Sequence, residues 1–312
     1  WWMGQSGFLV KSRDCCILFD PYLSTSLEDI TRNSPVIQHI RMMPIPVQPS
    51  WITCVDYILC SHDHKDHYDK DTVIPVLKAN PGARIVVPFS ARPSLLEDGI
   101  SEDDILACQA GKKLMAGNIC IEAIPGKHNG FDYSTASGYP YLGYIVRMGP
   151  FTLYHAGDTL YYEELPGLLA KADVHMAFVP VNGWDEERRQ KGFASNMMYS
   201  EGAELCREAG IRLMIPCHYD MFTLNTEQIG KFVNYVNNKK GLIIGFRLLG
   251  KCFYIKRRGG IDLKIAYSFY GEHHTPLKYF AKQLGIKYAV TMPQGGKYTS
   301  LVPPWHYMSL RE

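Results

Sequence analysis

Several absences narrow the field before any motif is considered. No apolar run approaches the eighteen or so residues that a membrane span needs. The 33 Lys and Arg are balanced by 31 Asp and Glu, a net charge of +2, and no Lys/Arg-rich insert interrupts the chain. Neither a nucleic acid nor a membrane is therefore expected as a partner, because both need a broad electropositive face. No charged-then-apolar signal pattern stands at the start. The chain opens on Trp1-Trp2 rather than Met, so its natural N-terminus is expected further upstream. Cys-x-x-Cys pairs are missing, and the nine cysteines are odd in number and scattered through apolar runs. Such thiols behave as small hydrophobes, which speaks against a disulfide framework and for a reducing, cytoplasmic home. Repeats and low-complexity tracts are absent as well.

What is present is a globular composition, 46% hydrophobic and 21% charged over 312 residues, enough for one large or two modest domains. One stretch organises the rest: Ser61-His62-Asp63-His64-Lys65-Asp66-His67, directly after the apolar run Val55-Asp56-Tyr57-Ile58-Leu59-Cys60. The run has the length and side chains of a buried strand. Imidazole and carboxylate suit borderline divalent ions, and a loop leaving a strand can turn His62 and His64 one way and Asp66 and His67 another. A single His there would read as a polar surface loop; four potential ligands in six residues read as a metal site.

Before this stretch, residues 8–11 and 16–19 read as a pair of strands, the second closed by Asp20-Pro21. Residues 31–50, rich in Pro and Met, read as an irregular loop able to overhang a site. Beyond the His-rich loop, apolar spacing predicts a helix over 71–80, a strand over 84–88 and a short helix over 94–99. A hairpin is expected over 113–124, a second from 141–146 with 151–154, and a strand over 174–181 ending at Asn182-Gly183. Residues 184–196 are polar and basic. A helix over 197–209, a strand over 212–216, a helix over 226–237 and a hairpin-like stretch over 242–255 complete this unit.

Three further residues share the context of the first cluster: His128, Asp158 and His218 each sit just past an apolar strand. Ligands at the ends of several strands suit a site at one sheet edge. His62, His64 and His128 make a three-His pocket with an open fourth position; Asp66, His67 and His218 make a second. Asp158 can bridge two ions roughly 3.5–4 Å apart. Each of the three also has a plainer reading, as a loop residue, an N-cap and a packed core His. For His39, His175 and His306, which lack such company, the structural reading is preferred.

His62-x-His64-x-Asp66-His67 followed by His128, Asp158 and His218 resembles the metallo-β-lactamase superfamily. That likeness implies an α/β four-layer αββα sandwich with a centre of one or two divalent ions, Zn or Mn. Trp1-Trp2-Met3-Gly4-Gln5-Ser6-Gly7, the His-rich loop with Tyr68-Asp69, Tyr154-His155-Ala156-Gly157-Asp158-Thr159 and Pro216-Cys217-His218-Tyr219-Asp220 resemble the L-ascorbate-6-phosphate lactonase family over residues 1–257. The implied chemistry is hydrolysis of a lactone carbonyl by water activated at the ions, with Asp66 orienting the water and receiving its proton. A phosphorylated, anionic sugar lactone such as L-ascorbate 6-phosphate is the implied substrate. Asn182, Arg188, Arg189 and Lys191 are the candidate substrate contacts, since guanidinium forks match phosphate.

The alternatives are a phosphodiesterase or other ester hydrolase of the same superfamily, and an inactive metal-binding sensor. His64 stands where flavodiiron oxygen reductases carry Glu, which argues against redox chemistry, and a ribonuclease would want a basic arm. The oligomeric state, a homo-oligomer included, is left open. Residues 258–312 are expected to form a separate C-terminal β-α-β extension: a strand over 263–269, a helix over 276–284 and a strand over 288–291. This extension resembles the opening of mannonate-dehydratase-like barrels, and no catalysis is assigned to it.

Overall fold

The computed structural model describes residues 1–237 together with 243–244, 252–257 and 261–266. β1 (Trp2–Gly4), β2 (Gly7–Lys11) and β3 (Cys16–Phe19) form an antiparallel meander. After helix α1 (Ser26–Thr31), strands β4 (Tyr57–Leu59), β5 (Arg84–Pro88) and β6 (Ile105–Cys108) extend the sheet in parallel, with α2 (Lys70–Ala79) and α3 (Arg92–Glu97) in the crossovers. The resulting six-stranded sheet runs β1-β2-β3-β4-β5-β6.

A second sheet begins with a meander of β7 (Lys113–Ala116), β8 (Ile119–Pro125), β9 (Leu142–Met148) and β10 (Phe151–His155). β11 (Met176–Pro180), β12 (Leu213–Cys217) and β13 (Ile243–Ile244) then join in parallel, bringing this sheet to seven strands. Helices α4 (Leu165–Lys171), α5 (Glu186–Gln190), α6 (Tyr199–Glu208) and α7 (Ile229–Asn237) lie between them in sequence. The two sheets and their helices are the expected sandwich.

Alternation along the first sheet explains the layering. Ile17, Phe19, Leu59 and Val86 pack with Ile121, Tyr144, Val146 and Phe178 of the second sheet. Their neighbours Leu18, Ile58, Ile85 and Val87 pack instead with Val73 and Val76 of α2 and Leu95 of α3. Strands covered on both faces read as unbroken apolar runs, which is why these were visible in the sequence. Each fully buried side chain of this kind contributes roughly 1.5–3 kcal/mol. On the outer face of the second sheet, Leu205 and Cys206 of α6 and Phe232 of α7 are buried. A Cβ at Gly202 would come within 3.0 Å of Met214 and Val179, so α6 lies directly on β11 and β12.

One expectation is corrected. The stretch 242–255 is not a hairpin: β13 pairs in parallel with β12, while β14 (Cys252–Arg257) pairs antiparallel with β15 (Ile261–Ala266). Apolar alternation marks a strand but carries no information about its partner. The strand expected at 263–269 falls on β15 over residues 263–266, and residues 267–269 lie outside the described residues. The helix over 276–284, the strand over 288–291 and His306 lie outside the described residues. The short elements β1, α1, β6, α4 and α5 carry too few residues to show a period. Among the described residues, no helix is long and apolar enough to cross a membrane.

Candidate metal centre

Every chemically active side chain here leaves the end of a strand. Asp20 follows β3, the loop 61–67 follows β4, His128 lies just past β8, Asp158 just past β10, and His218 directly after β12. Asp20 is buried and accepts from Ser61 N at 2.7 Å and from Ser61 Oγ at 2.6 Å. It also accepts from His67 Nδ1 at 2.7 Å. That last bond fixes the His67 tautomer and leaves the Nε2 lone pair facing inward, as metal-ligating imidazoles require. His128 is fixed the same way, its Nδ1 donating to the Ser195 carbonyl at 3.1 Å.

The seven expected ligands are brought together. Donor atoms of His62, His64 and His128 lie within 4.8 Å of one another, as do those of His62, His67 and Asp158, and those of Asp66, His67 and His218. Asp158 sits between the groups: its oxygens are 3.2 Å from His67 Nε2, 3.5 Å from His128 Nε2 and 3.2 Å from His218 Nε2. Asp66 Oδ2 lies 3.5 Å from His218 Nε2 and accepts from Gln5 Nε2 at 2.7 Å. Among the described residues, three buried atoms, His62 Nε2, His67 Nε2 and Asp158 Oδ1, make no well-aligned hydrogen bond, His67 Nε2 and Asp158 Oδ1 facing each other at 3.2 Å. Orphaned buried donors and acceptors are costly and rare. Three of them converging from imidazole and carboxylate groups fit a divalent cation.

Electrostatics divide the cluster. Burial pushes His62 well below the usual imidazole range and His128 down to about 4. Burial also opposes charge on His67 and His218, but Asp158 and Asp66 outweigh it, with Asp20 adding to the effect at His67. His67 is held well above its ordinary value and His218 is lifted to about 9. Asp66 and Asp158 stay well below the carboxylate range, because the neighbouring His67 and His218 overcome their burial. The backbone is strained at the same place: Gln5 (φ 48°), Asp20 (φ 34°) and His218 (φ 60°) all adopt left-handed conformations. Such residues persist where the surrounding structure over-determines them, as at functional sites.

The expected substrate contacts are placed differently. Asn182 is buried with its amide occupied, donating to Asn225 Oδ1 at 2.8 Å and accepting from Asn196 Nδ2 at 3.1 Å. Arg188 reaches the Asn182 carbonyl at 2.9 Å while its Nε meets Asp185 at 2.5 Å. Arg189 and Lys191 pair with Glu186 and Glu187 of the same helix. Three residues at the centre were not singled out from the sequence: Asp20, Gln5 and Tyr141. The Tyr141 ring lies 5.0–5.7 Å from the rings of His62, His64 and His128. A carboxylate ending a wholly apolar strand was the signal available for Asp20. His175 accepts from Thr152 N at 3.0 Å, the structural role expected of it.

A two-sheet sandwich whose strand ends gather five His and two Asp defines a class, the metallo-β-lactamase-type proteins. Residues 16–219 match the model of the family described as the beta-lactamase superfamily domain, and the chain belongs to that family. Among its relatives is a UPF0173 protein of Pyrococcus abyssi, 27% identical over 221 residues, covering 71% of this chain and 83% of the relative. A UPF0173 metal-dependent hydrolase of Caldivirga maquilingensis is 28% identical over 223 residues, covering 71% and 82%. Among solved structures, Igni18, a metallo hydrolase of Ignicoccus hospitalis, superposes with a TM-score of 0.58 at 20% identity, covering 80% of this chain and 94% of that one. That likeness is one of fold.

Proposed function

We propose that this metal-dependent hydrolase of the metallo-β-lactamase superfamily opens the ring of a lactone, with an anionic, phosphorylated sugar lactone such as L-ascorbate 6-phosphate as substrate. The observation that carries the metal-dependent part of the reading is the convergence of seven buried or half-buried His and Asp donors in three overlapping groups. The likeness of four sequence motifs to the lactonase family supports the substrate class. His62, His64 and His128 would hold one ion, Asp66, His67 and His218 a second, with Asp158 between them. When bound, Zn or Mn supplies Lewis acidity, polarising a carbonyl oxygen and lowering the pKa of water toward neutrality.

The chain's own groups do the rest. Asp66, ionised throughout the neutral range, orients the attacking water and takes its proton, while Gln5 holds the carboxylate oxygen in place. The water oxygen bonds to the lactone carbonyl carbon, the ring C–O bond breaks, and the proton passes to the departing alkoxide. Asp20 and the Ser195 carbonyl keep His67 and His128 in the tautomers that face the centre. Arg188, Arg189 and Lys191 remain candidate rim cations, and each would have to leave its acid partner to meet an incoming anion. The eight free cysteines among the described residues support a reducing, cytoplasmic setting.

Replacing His64 with Ala is expected to remove bound metal and abolish turnover while the circular dichroism stays unchanged. Metal content by plasma mass spectrometry and a panel of lactones, phosphodiesters and phosphorylated sugar acids with Mn²⁺ or Zn²⁺ check this. Full turnover by a metal-free His64→Ala protein would end the hydrolase reading; turnover of phosphodiesters alone would end the lactone one.

A further inference from the structure

The irregular loop 31–50 is strapped across the segment that follows His218. Met42 N donates to Met221 O at 2.8 Å, Thr223 N donates to Ile40 O at 3.1 Å, and Arg41 and Phe222 form an antiparallel bridge. Along this extended stretch side chains alternate: Ile40 and Met42 are exposed, whereas His39 and Arg41 turn the other way. The His39 ring meets Phe222 at 5.1 Å and Phe193 at 5.7 Å. The Arg41 guanidinium lies 5.0 Å above the Tyr22 ring, which in turn packs on Phe222. The strap's backbone bonds to Met221 and Thr223 hold it on the segment that directly follows His218.

Arg41 is unusual in how its charge is left. Its Nε donates to the Met43 carbonyl and its Nη1 to the Ser24 carbonyl, both at 3.0 Å and both neutral acceptors. The nearby Glu28 carboxylate takes the Arg41 backbone N–H instead. Among the described residues, Nη2 is buried without a well-aligned acceptor, although the Tyr22 hydroxyl and the Asp69 and Glu28 carboxylates act on the guanidinium, and His39 Nδ1 is buried with no hydrogen-bond partner. A half-buried guanidinium fork with one unfilled donor costs free energy unless an anion completes it. The rim cations Arg188, Arg189 and Lys191, by contrast, are each already paired with an acid of the same turn.

We infer that Arg41 and His39 form the inner anion-binding subsite of this centre, holding an oxyanion of the substrate, a phosphate or a carboxylate, next to the segment that follows His218. Arg41 supplies the charge and one N–H, and His39 supplies a second polar contact two residues along the same face. The subsite deepens the proposed function, resting on its anionic substrate, but it makes a claim about binding that stands apart from ring opening.

Calorimetric titration of the metal-loaded protein with inorganic phosphate, and separately with acetate, tests it. Arg41→Gln is expected to weaken binding of at least one anion tenfold or more, and His39→Ala about threefold. Arg84→Gln, at the start of β5 on the exposed surface, is the control and is expected to bind like the wild type. The phosphate and acetate arms tell which oxyanion the subsite takes. If Arg41→Gln proves unfolded by circular dichroism, His39→Ala decides: unchanged binding overturns the subsite. Equal binding by wild type and a folded Arg41→Gln, or no anion binding by the wild type, overturns it too. Lost anion binding in a protein that opens no lactone would leave the subsite standing and remove the lactone reading instead.

Discussion

Asp20 accepts three hydrogen bonds, from Ser61 N, Ser61 Oγ and His67 Nδ1, while its own backbone sits at φ 34°. One carboxylate thereby ties the first turn of the His-rich loop to its last histidine. Replacing it with Asn keeps the shape but lets the amide present an N–H where His67 needs an acceptor. Partners of this kind typically change metal affinity by 10–100-fold. Asp20→Asn is therefore expected to lose metal to a chelator at a concentration 10–100-fold lower than the wild type needs. Unchanged competition would mean that Asp20 only supports the loop. The seven candidate ligands were legible as residues because His and Asp in that density are chemically rare. Gln5 was not, because a single Gln carries no pattern until its hydrogen bonds are visible, and Asp20 offered only its place at the end of an apolar strand.

At the scale of elements, the approach of two loops depends on one residue without a side chain. A Cβ at Gly157 would stand 2.5 Å from Ser61 Cβ and 2.9 Å from the Leu142 carbonyl, and its φ is +58°. Both facts forbid any larger residue, and together they press the turn carrying Asp158 against the turn carrying His62. Gly157→Ala is expected to cost about 2–4 kcal/mol, adding a left-handed backbone penalty to an overpacking term. Urea denaturation measures the loss, and metal content should fall with it. A cost below about 0.5 kcal/mol, within the range of ordinary surface substitutions, would show that the loops have room to part. The central strands were legible because burial on both faces makes them continuous apolar runs. The strap was legible only as an absence of period; its attachment at Phe222 runs through backbone groups, which every sequence possesses.

Across the whole molecule, the first sheet supplies Asp20 and the loop 61–67, and the second supplies His128, Asp158 and His218. An ion bound between them joins the two halves of the sandwich, so it stabilises the fold as well as the chemistry. At a free-ion concentration a thousandfold above Kd this linkage is worth about 4 kcal/mol. Its pH dependence has a definite sign. Without an ion, His218 titrates near 9 and His67 is raised as well, against about 6.5 in an unfolded chain. Stability from these protonated imidazoles is fully present below 6.5 and is lost as pH rises through 9. Metal binding needs the same imidazoles neutral, so it strengthens over the same interval. The gap in Tm between metal-loaded and chelated protein is thus expected to widen from pH 6.5 to pH 9. Scanning calorimetry would contradict this if the gap stayed constant or narrowed.

Apolar runs and the spacing of His and Asp determined the strands and the candidate donor set, since both are written in local residue chemistry, and the two-sheet sandwich followed from the resemblance those motifs carry. Partnership was decided only in three dimensions. β13 and β15 were paired by backbone register, the rim cations by acids one turn away, and Arg41 was left with an Nη2 lacking a well-aligned acceptor among the described residues. A strand period or a charge is a property of a short segment. Which group it meets depends on how distant segments fold against each other, and only the tertiary structure carries that.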